Sequence, residues 1–170
     1  MVLHMAKETD EGSCDLDKLK EKYEKFRIKY DLPQFFELNK LFDIEETCIE
    51  TDFLLRRIRR IIGDRITAYS RFAEVILNPN NAPIFFFKLI KKLETKDREI
   101  LNEVYEALGK LEFEVLNLDL DYDEKKESDF IKKTFELFSN DIRQKLLGII
   151  KKLSNEDNGD KKESSRSYFG

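Results

Sequence analysis

The chain is poor in the residues that carry most enzyme chemistry. Among 170 residues there is one histidine, His4, near the start of the sequence. A Ser–His or Cys–His nucleophilic pair needs an imidazole held in a folded site, so the sequence offers neither. The same shortage removes the Glu-x-x-His pairs of a ferritin-like di-iron bundle. Two cysteines, Cys14 and Cys48, make no disulfide framework. Cys48 falls on an apolar helical stripe and reads as a small buried hydrophobe, so a reduced, cytoplasmic setting is expected. Six glycines are scattered singly and form no Gly-rich phosphate loop. No apolar run approaches the roughly 18 residues of a membrane span. The longest, Ile84 to Phe87, is four residues and runs into Lys88. Neither the basic start nor the apolar stretch of a secretory signal is seen. No membrane partner is therefore expected.

What the chain has is charge. Charged residues make up 39% of it, against about 25% in an average soluble protein. With three prolines and 41% apolar residues, this suits amphipathic helices with solvated outer faces. The formal net charge of −4 argues against a protein that coats nucleic acid through its overall field.

One periodic run dominates. Leu101, Val104, Leu108, Leu111, Val115, Leu118 and Tyr122 stand three or four residues apart without a miss. From Phe113 to Tyr122 the chain also alternates apolar and charged, as an edge strand would. The heptad covers more residues and starts earlier, so a helix is predicted. Tyr105, Phe113, Leu116 and Leu120 form a second apolar flank, which predicts neighbours on more than one side of that helix.

The remaining elements follow from periodicity and punctuation. Residues 1–12 are predicted to be a flexible tail. A first helix starts near Ser13 or Asp15, carries Leu16, Leu19, Tyr23, Phe26 and Tyr30, and ends at Asp31-Leu32-Pro33. A short second helix runs from Pro33 to about Phe42. Asp43 and Glu46 have capping-box spacing, predicting a third helix from Ile44 to Leu77 of roughly 50 Å. Gly63 near its middle permits a kink or a close crossing. Asn78-Pro79-Asn80-Asn81-Ala82-Pro83 is a loop, and a fourth helix follows over Ile84 to Leu93. Thr95 caps the fifth, the heptad helix. An acidic connection, Asp121 to Ser128, precedes a sixth helix from Asp129 to Phe138, and Ser139 or Asn140 caps a seventh from Ile142 to Leu153. Residues 154–170 are predicted to be a disordered polar tail. The expected fold is all-α: an antiparallel bundle of five to seven helices with two long central helices, in a single domain over residues 13–153.

Four features invite a functional reading. Arg56, Arg57, Arg59, Arg60, Arg65 and Arg71 lie on the third helix, and between Thr51 and Ile76 only Asp52, Asp64 and Glu74 oppose them. Clustered arginines bind phosphate through bidentate geometry, so Arg56, Arg57, Arg59 and Arg60 are candidate phosphate or nucleic-acid contacts. The plainer reading is a solvated outer face, with Asp52–Arg56 and Arg60–Asp64 as i,i+4 pairs. Asp119-x-Asp121-x-Asp123 resembles the start of a calcium loop. It fails at the sixth position, Glu124 for glycine, and at the twelfth, Phe130 for glutamate. It reads instead as a solvated connection or an electrostatic partner of the arginines. Glu103/Glu106 and Glu124/Glu127 have the spacing of carboxylate magnesium sites, but the first pair points away from the seam. Finally, Ile84-Phe85-Phe86-Phe87 sweeps around a helix, so this element is either buried on every side or presents Phe85, Phe86 and Phe87 to a partner.

No catalytic residue, metal site or cofactor follows from these patterns. The expected role is a non-enzymatic interaction or scaffold module, acting on a protein partner or as a homodimer through Phe85, Phe86 and Phe87 of the aromatic helix together with an apolar flank. A nucleic-acid-associated factor is the alternative, and a carboxylate-metal phosphohydrolase the third reading.

Overall fold

The computed structural model describes residues 16–46, 52–81 and 83–154. These form seven α-helices and no strand among the described residues, so the all-α helical bundle is the fold. In order they are α1 (Leu16–Tyr30), α2 (Phe35–Phe42), α3 (Leu54–Leu77), α4 (Ile84–Ile90), α5 (Thr95–Leu120), α6 (Glu124–Leu137) and α7 (Arg143–Ser154). The longest are α3 and α5, with 24 and 26 residues. The stretch from Phe113 to Leu120 is helical, so the heptad outweighed the alternation. Tyr122 lies beyond the helix end. The predicted flexible and disordered tails, Ser13, Asp15 and Cys48 fall outside the described residues.

The chain groups into two compact units, and the division falls inside α3 and α5. One unit contains the chain up to Thr67 together with Leu111–Leu137. Its core is Leu19, Tyr23, Leu38, Phe42, Ile44, Leu54, Leu55, Ile58, Ile62, Ile66, Leu111 and Ile131, all essentially inaccessible to solvent. The other contains Ala68–Lys110 and the chain from Phe138 onward. Ala73, Ile76, Ile90, Leu101, Val104, Leu108, Ile142 and Ile149 form its core. There the Asp97 carboxylate accepts the Glu94 backbone N–H at 3.0 Å, capping α5, and also accepts from Lys152. Thr95 is thus the first helical residue, and the capping oxygen belongs to Asp97.

Helix α2 begins at Phe35 and α4 ends at Ile90, short of the expected Pro33 and Leu93, and three junctions differ more deeply from the sequence expectation. The first is at Asp43, which does not start a helix. Its backbone is left-handed, with φ 53°, and its N–H donates to the Asn39 carbonyl at 2.8 Å. This is the αL motif that terminates α2. Ile44–Glu46 forms a 3-10 turn and α3 begins at Leu54, so α3 is about 36 Å long rather than 50 Å. Asp31, at φ 52°, ends α1 in the same way, and the Leu32 N–H reaches back to the Arg27 carbonyl at 3.1 Å in the Schellman pattern. The left-handed residue therefore terminates α1, two positions before Pro33.

The second difference is at the start of α6, which lies at Glu124 rather than Asp129. The Asp123 side chain accepts the Lys126 N–H at 2.7 Å, so the acidic connection is a cap. The third is at Phe138–Ile142, a π-helical turn that runs without interruption from α6 into α7. Neither Ser139 nor Asn140 caps a new helix. The buried positions Glu127, Ile131, Thr134 and Phe138 step by four, three and four; Ile142, Leu146, Ile149 and Leu153 do the same. One extra residue separates the two series, between Phe138 and Ile142, and the π turn absorbs it while keeping the backbone hydrogen-bonded.

Gly63 is buried, and a methyl group built on it would meet Val115 at 3.5 Å, an ordinary contact. The crossing is snug but does not require glycine. Gly63→Ala should therefore raise unfolding stability by roughly 0.5–1 kcal/mol through helix propensity. Urea denaturation measures this, and a loss of stability would mean that α3 and α5 approach more closely than described.

Candidate interaction surfaces and the arginine cluster

The sequence places Arg59 on the apolar stripe of α3. It lies four residues after Leu55, three before Ile62 and seven before Ile66, all buried. A side chain at that position must enter the core, and Arg59 is completely buried. Glu127 occupies the equivalent position on α6 and is equally buried. The two meet: Arg59 Nε donates to Glu127 Oε2 at 2.9 Å. Arg59 Nη2 donates to Asp119 Oδ1, near the end of α5, at 2.7 Å.

Asp119 gathers two more cations. Arg60 Nε lies 3.7 Å from Asp119 Oδ1, and Arg56 Nη2 lies 4.0 Å from the same atom. Arg56 also donates to the Asp119 carbonyl at 3.3 Å, and its guanidinium lies over the Tyr122 ring at 5.6 Å. The ion pairs of Arg56 and Arg60 go to α5, not to Asp52, which precedes α3, or to Asp64 one turn along it. The expected common outer face of four arginines is therefore corrected. Arg59 is interior, Arg56 and Arg60 are drawn to a carboxylate, and Arg57 remains exposed. Arg65 pairs with Asp43 at 2.7 Å, and Arg71 is exposed. Asp119 is the intramolecular partner that the acidic segment offered.

The charges in the cluster reinforce one another. Burial works against the Arg59 charge, but hydrogen bonds to Asp119 and Glu127 outweigh it and raise the pKa of Arg59. The Arg59 guanidinium holds the Asp119 carboxyl below the usual carboxylate range, against a smaller opposing effect of burial. The pairing is not complete. Arg59 Nη1 and Glu127 Oε1 are buried without a hydrogen bond among the described residues. Such a cluster specifies which helices meet more than it adds net stability.

The nominal carboxylate pairs are dispersed. Glu103 binds Lys145 at 3.1 Å, Glu124 accepts from Lys29 at 2.8 Å and from Tyr30, and Glu127 is held by Arg59. No group of three metal-ligating side chains that could hold an ion occurs among the described residues.

Besides scattered exposed residues and the pair Leu147 and Ile150 on α7, two groups of three large apolar side chains stand exposed among the described residues. On α5, Leu111 and Leu118 are buried, while Phe113, Leu116 and Leu120 are 72%, 57% and 88% exposed. Among the described residues nothing covers Phe113, Leu116 and Leu120, while Tyr105 on the same flank is half-buried. On α4, Ile84, Phe85 and Phe87 are 84%, 61% and 42% exposed. Phe86 is partly buried, packs edge-on against Phe85 at 4.9 Å, and precedes the buried Ile90. The aromatic run is thus open on one broad face, and burial on every side is corrected.

No protein-family model, curated protein or solved structure matches the chain. No helix among the described residues is long and apolar enough to cross a membrane.

Two outcomes test the cluster. Glu127→Leu should cost roughly 3–5 kcal/mol because it strands a buried guanidinium, and Arg59→Met with Glu127→Leu should recover most of that loss. Chemical denaturation of the single and double variants reads both; a single-variant cost below about 1 kcal/mol would show that the pair holds nothing together. The second concerns acid. The folded-state pKa of Asp119 is depressed, so its contribution is present above the ordinary aspartate value and disappears as pH falls through the lowered one. Asp119→Asn should flatten the acid limb of stability against pH, and an unchanged slope would contradict the ion pair.

Proposed function

We propose that this chain is a non-enzymatic helical interaction module that self-associates through the C-terminal half of α5. The observation that carries the reading is the exposed stripe Phe113, Leu116 and Leu120. Their spacing, i, i+3 and i+7, is that of one side of a two-helix seam. Three large apolar side chains in one row on a charge-rich surface are a surface to be covered, unlike single exposed leucines. An antiparallel two-fold pairing lets the stripe meet itself, with Phe113 against Leu120 and Leu116 against Leu116.

The expected homodimer seam at Phe85, Phe86 and Phe87 is less favoured by this reasoning. A two-fold pairing of α4 brings Lys88 and Lys91 of one copy toward those of the other, and like charges across an interface are unfavourable. The nucleic-acid reading loses its main support because Arg56, Arg59 and Arg60 are engaged by carboxylates. No observation favours the phosphohydrolase.

A single stripe of three side chains is small beside a standard interface, so weak association is expected, with a Kd on the order of 10 μM. Light scattering should show apparent mass rising over roughly 1–100 μM. Leu116→Glu with Leu120→Glu should hold the protein at monomer mass with its helical circular dichroism intact. A constant monomer mass for the natural sequence across that range would sink the proposal.

A further inference from the structure

The second uncovered surface, on α4, differs from the first in charge and in shape. From Val75 to Leu93 the chain has no acidic residue and three lysines, Lys88, Lys91 and Lys92. The compact unit that contains α4 has, among its described residues, eleven lysines and arginines against seven aspartates and glutamates, a net +4. Over the full sequence of that unit the balance is fourteen against eleven, +3, opposite in sign to the −4 of the whole chain. The basic character is local, and the overall balance conceals it.

The shape is convex. Ile84, Phe85 and Phe87 are nearly adjacent in sequence, so with Lys88 they fan across roughly 160° of the helix instead of forming a stripe. A single partner helix covers a narrow stripe; a fan of this width suits a groove or a phase that deforms around it. Lys88 and Lys91 lie within this fan, on either side of Ile84, and their stems can run along apolar material while the ammonium groups reach back to water. Exposed phenylalanine and isoleucine beside lysines is the pattern of interfacial helices, which enter the boundary between headgroups and acyl chains. Lysines at that depth gain from anionic lipid.

We infer that α4 is a peripheral docking element for an anionic phospholipid bilayer. Ile84, Phe85 and Phe87 enter the interface and Lys88 and Lys91 engage the headgroups. Phe86 and Ile90 face the protein and hold the helix in place. The lack of a spanning helix among the described residues excludes a span and not attachment from one face. Docking from one face needs no apolar run, and it is independent of self-association through α5.

The full-length protein, sedimented with vesicles of phosphatidylcholine alone and of phosphatidylcholine with phosphatidylserine, gives the test. Binding should appear with the anionic vesicles, weaken with salt and be at least roughly tenfold lower without phosphatidylserine. Ile84→Ser, Phe85→Ser and Phe87→Ser together should remove it. Lys88→Glu with Lys91→Glu should reduce it roughly tenfold or more. Both variants change exposed residues, and circular dichroism confirms that they stay folded. Absence of binding to anionic vesicles overturns the inference, as does binding that survives either variant. A fall in apparent mass in the serine variant without any vesicle binding would instead assign α4 to a protein interface. Leu116→Glu with Leu120→Glu should leave vesicle binding intact, which separates this surface from the self-association seam.

Discussion

The Arg59–Glu127 ion pair is the constraint around which one compact unit is arranged. Both side chains sit in largely apolar seams, and neither charge tolerates burial alone. An apolar seam can slide by a heptad and still bury leucine against isoleucine. A buried guanidinium cannot slide away from its carboxylate. The pair therefore sets the register of α3 against α6, and Asp119 ties the end of α5 to the same arginine.

The cluster also changes what the surface presents. By burying Arg59 and holding Arg56 and Arg60 near Asp119, it reduces the basic face that the arginine run implied to Arg57 and the half-exposed Arg60. The distinctive exposed features that remain are apolar: the stripe on α5 and the fan on α4. They differ physically. One is linear and suited to another helix; the other is convex, basic and suited to a deformable anionic surface. The functional readings therefore rest on surfaces and their charge, not on an enclosed site.

Much of the fold was legible because the helical period is a local property. The run from Leu101 to Leu118 is a helix for the reason its spacing implies. Boundaries were less legible. Asp43 is an acceptable N-cap and also one of the few residue types that enter the left-handed region readily, and the spacing to Glu46 does not separate the two roles. The step of four from Phe138 to Ile142 was a visible irregularity, and reading Ser139 or Asn140 as a cap hid it. Arg59 was the costliest oversight. Its place between Leu55, Ile62 and Ile66 marked it as interior, but its neighbours Arg56, Arg57 and Arg60 suggested a shared outer face.

The order of residues alone determined that the chain is helical, where its main apolar seams run and which segments break them, since each depends on neighbours within about two turns. Which charges are buried, which carboxylate each arginine finds and which apolar flank stays uncovered were decided only by packing. Those outcomes depend on residues some 60 positions apart in sequence, as Arg59 and Asp119 are, and no local period encodes such a meeting.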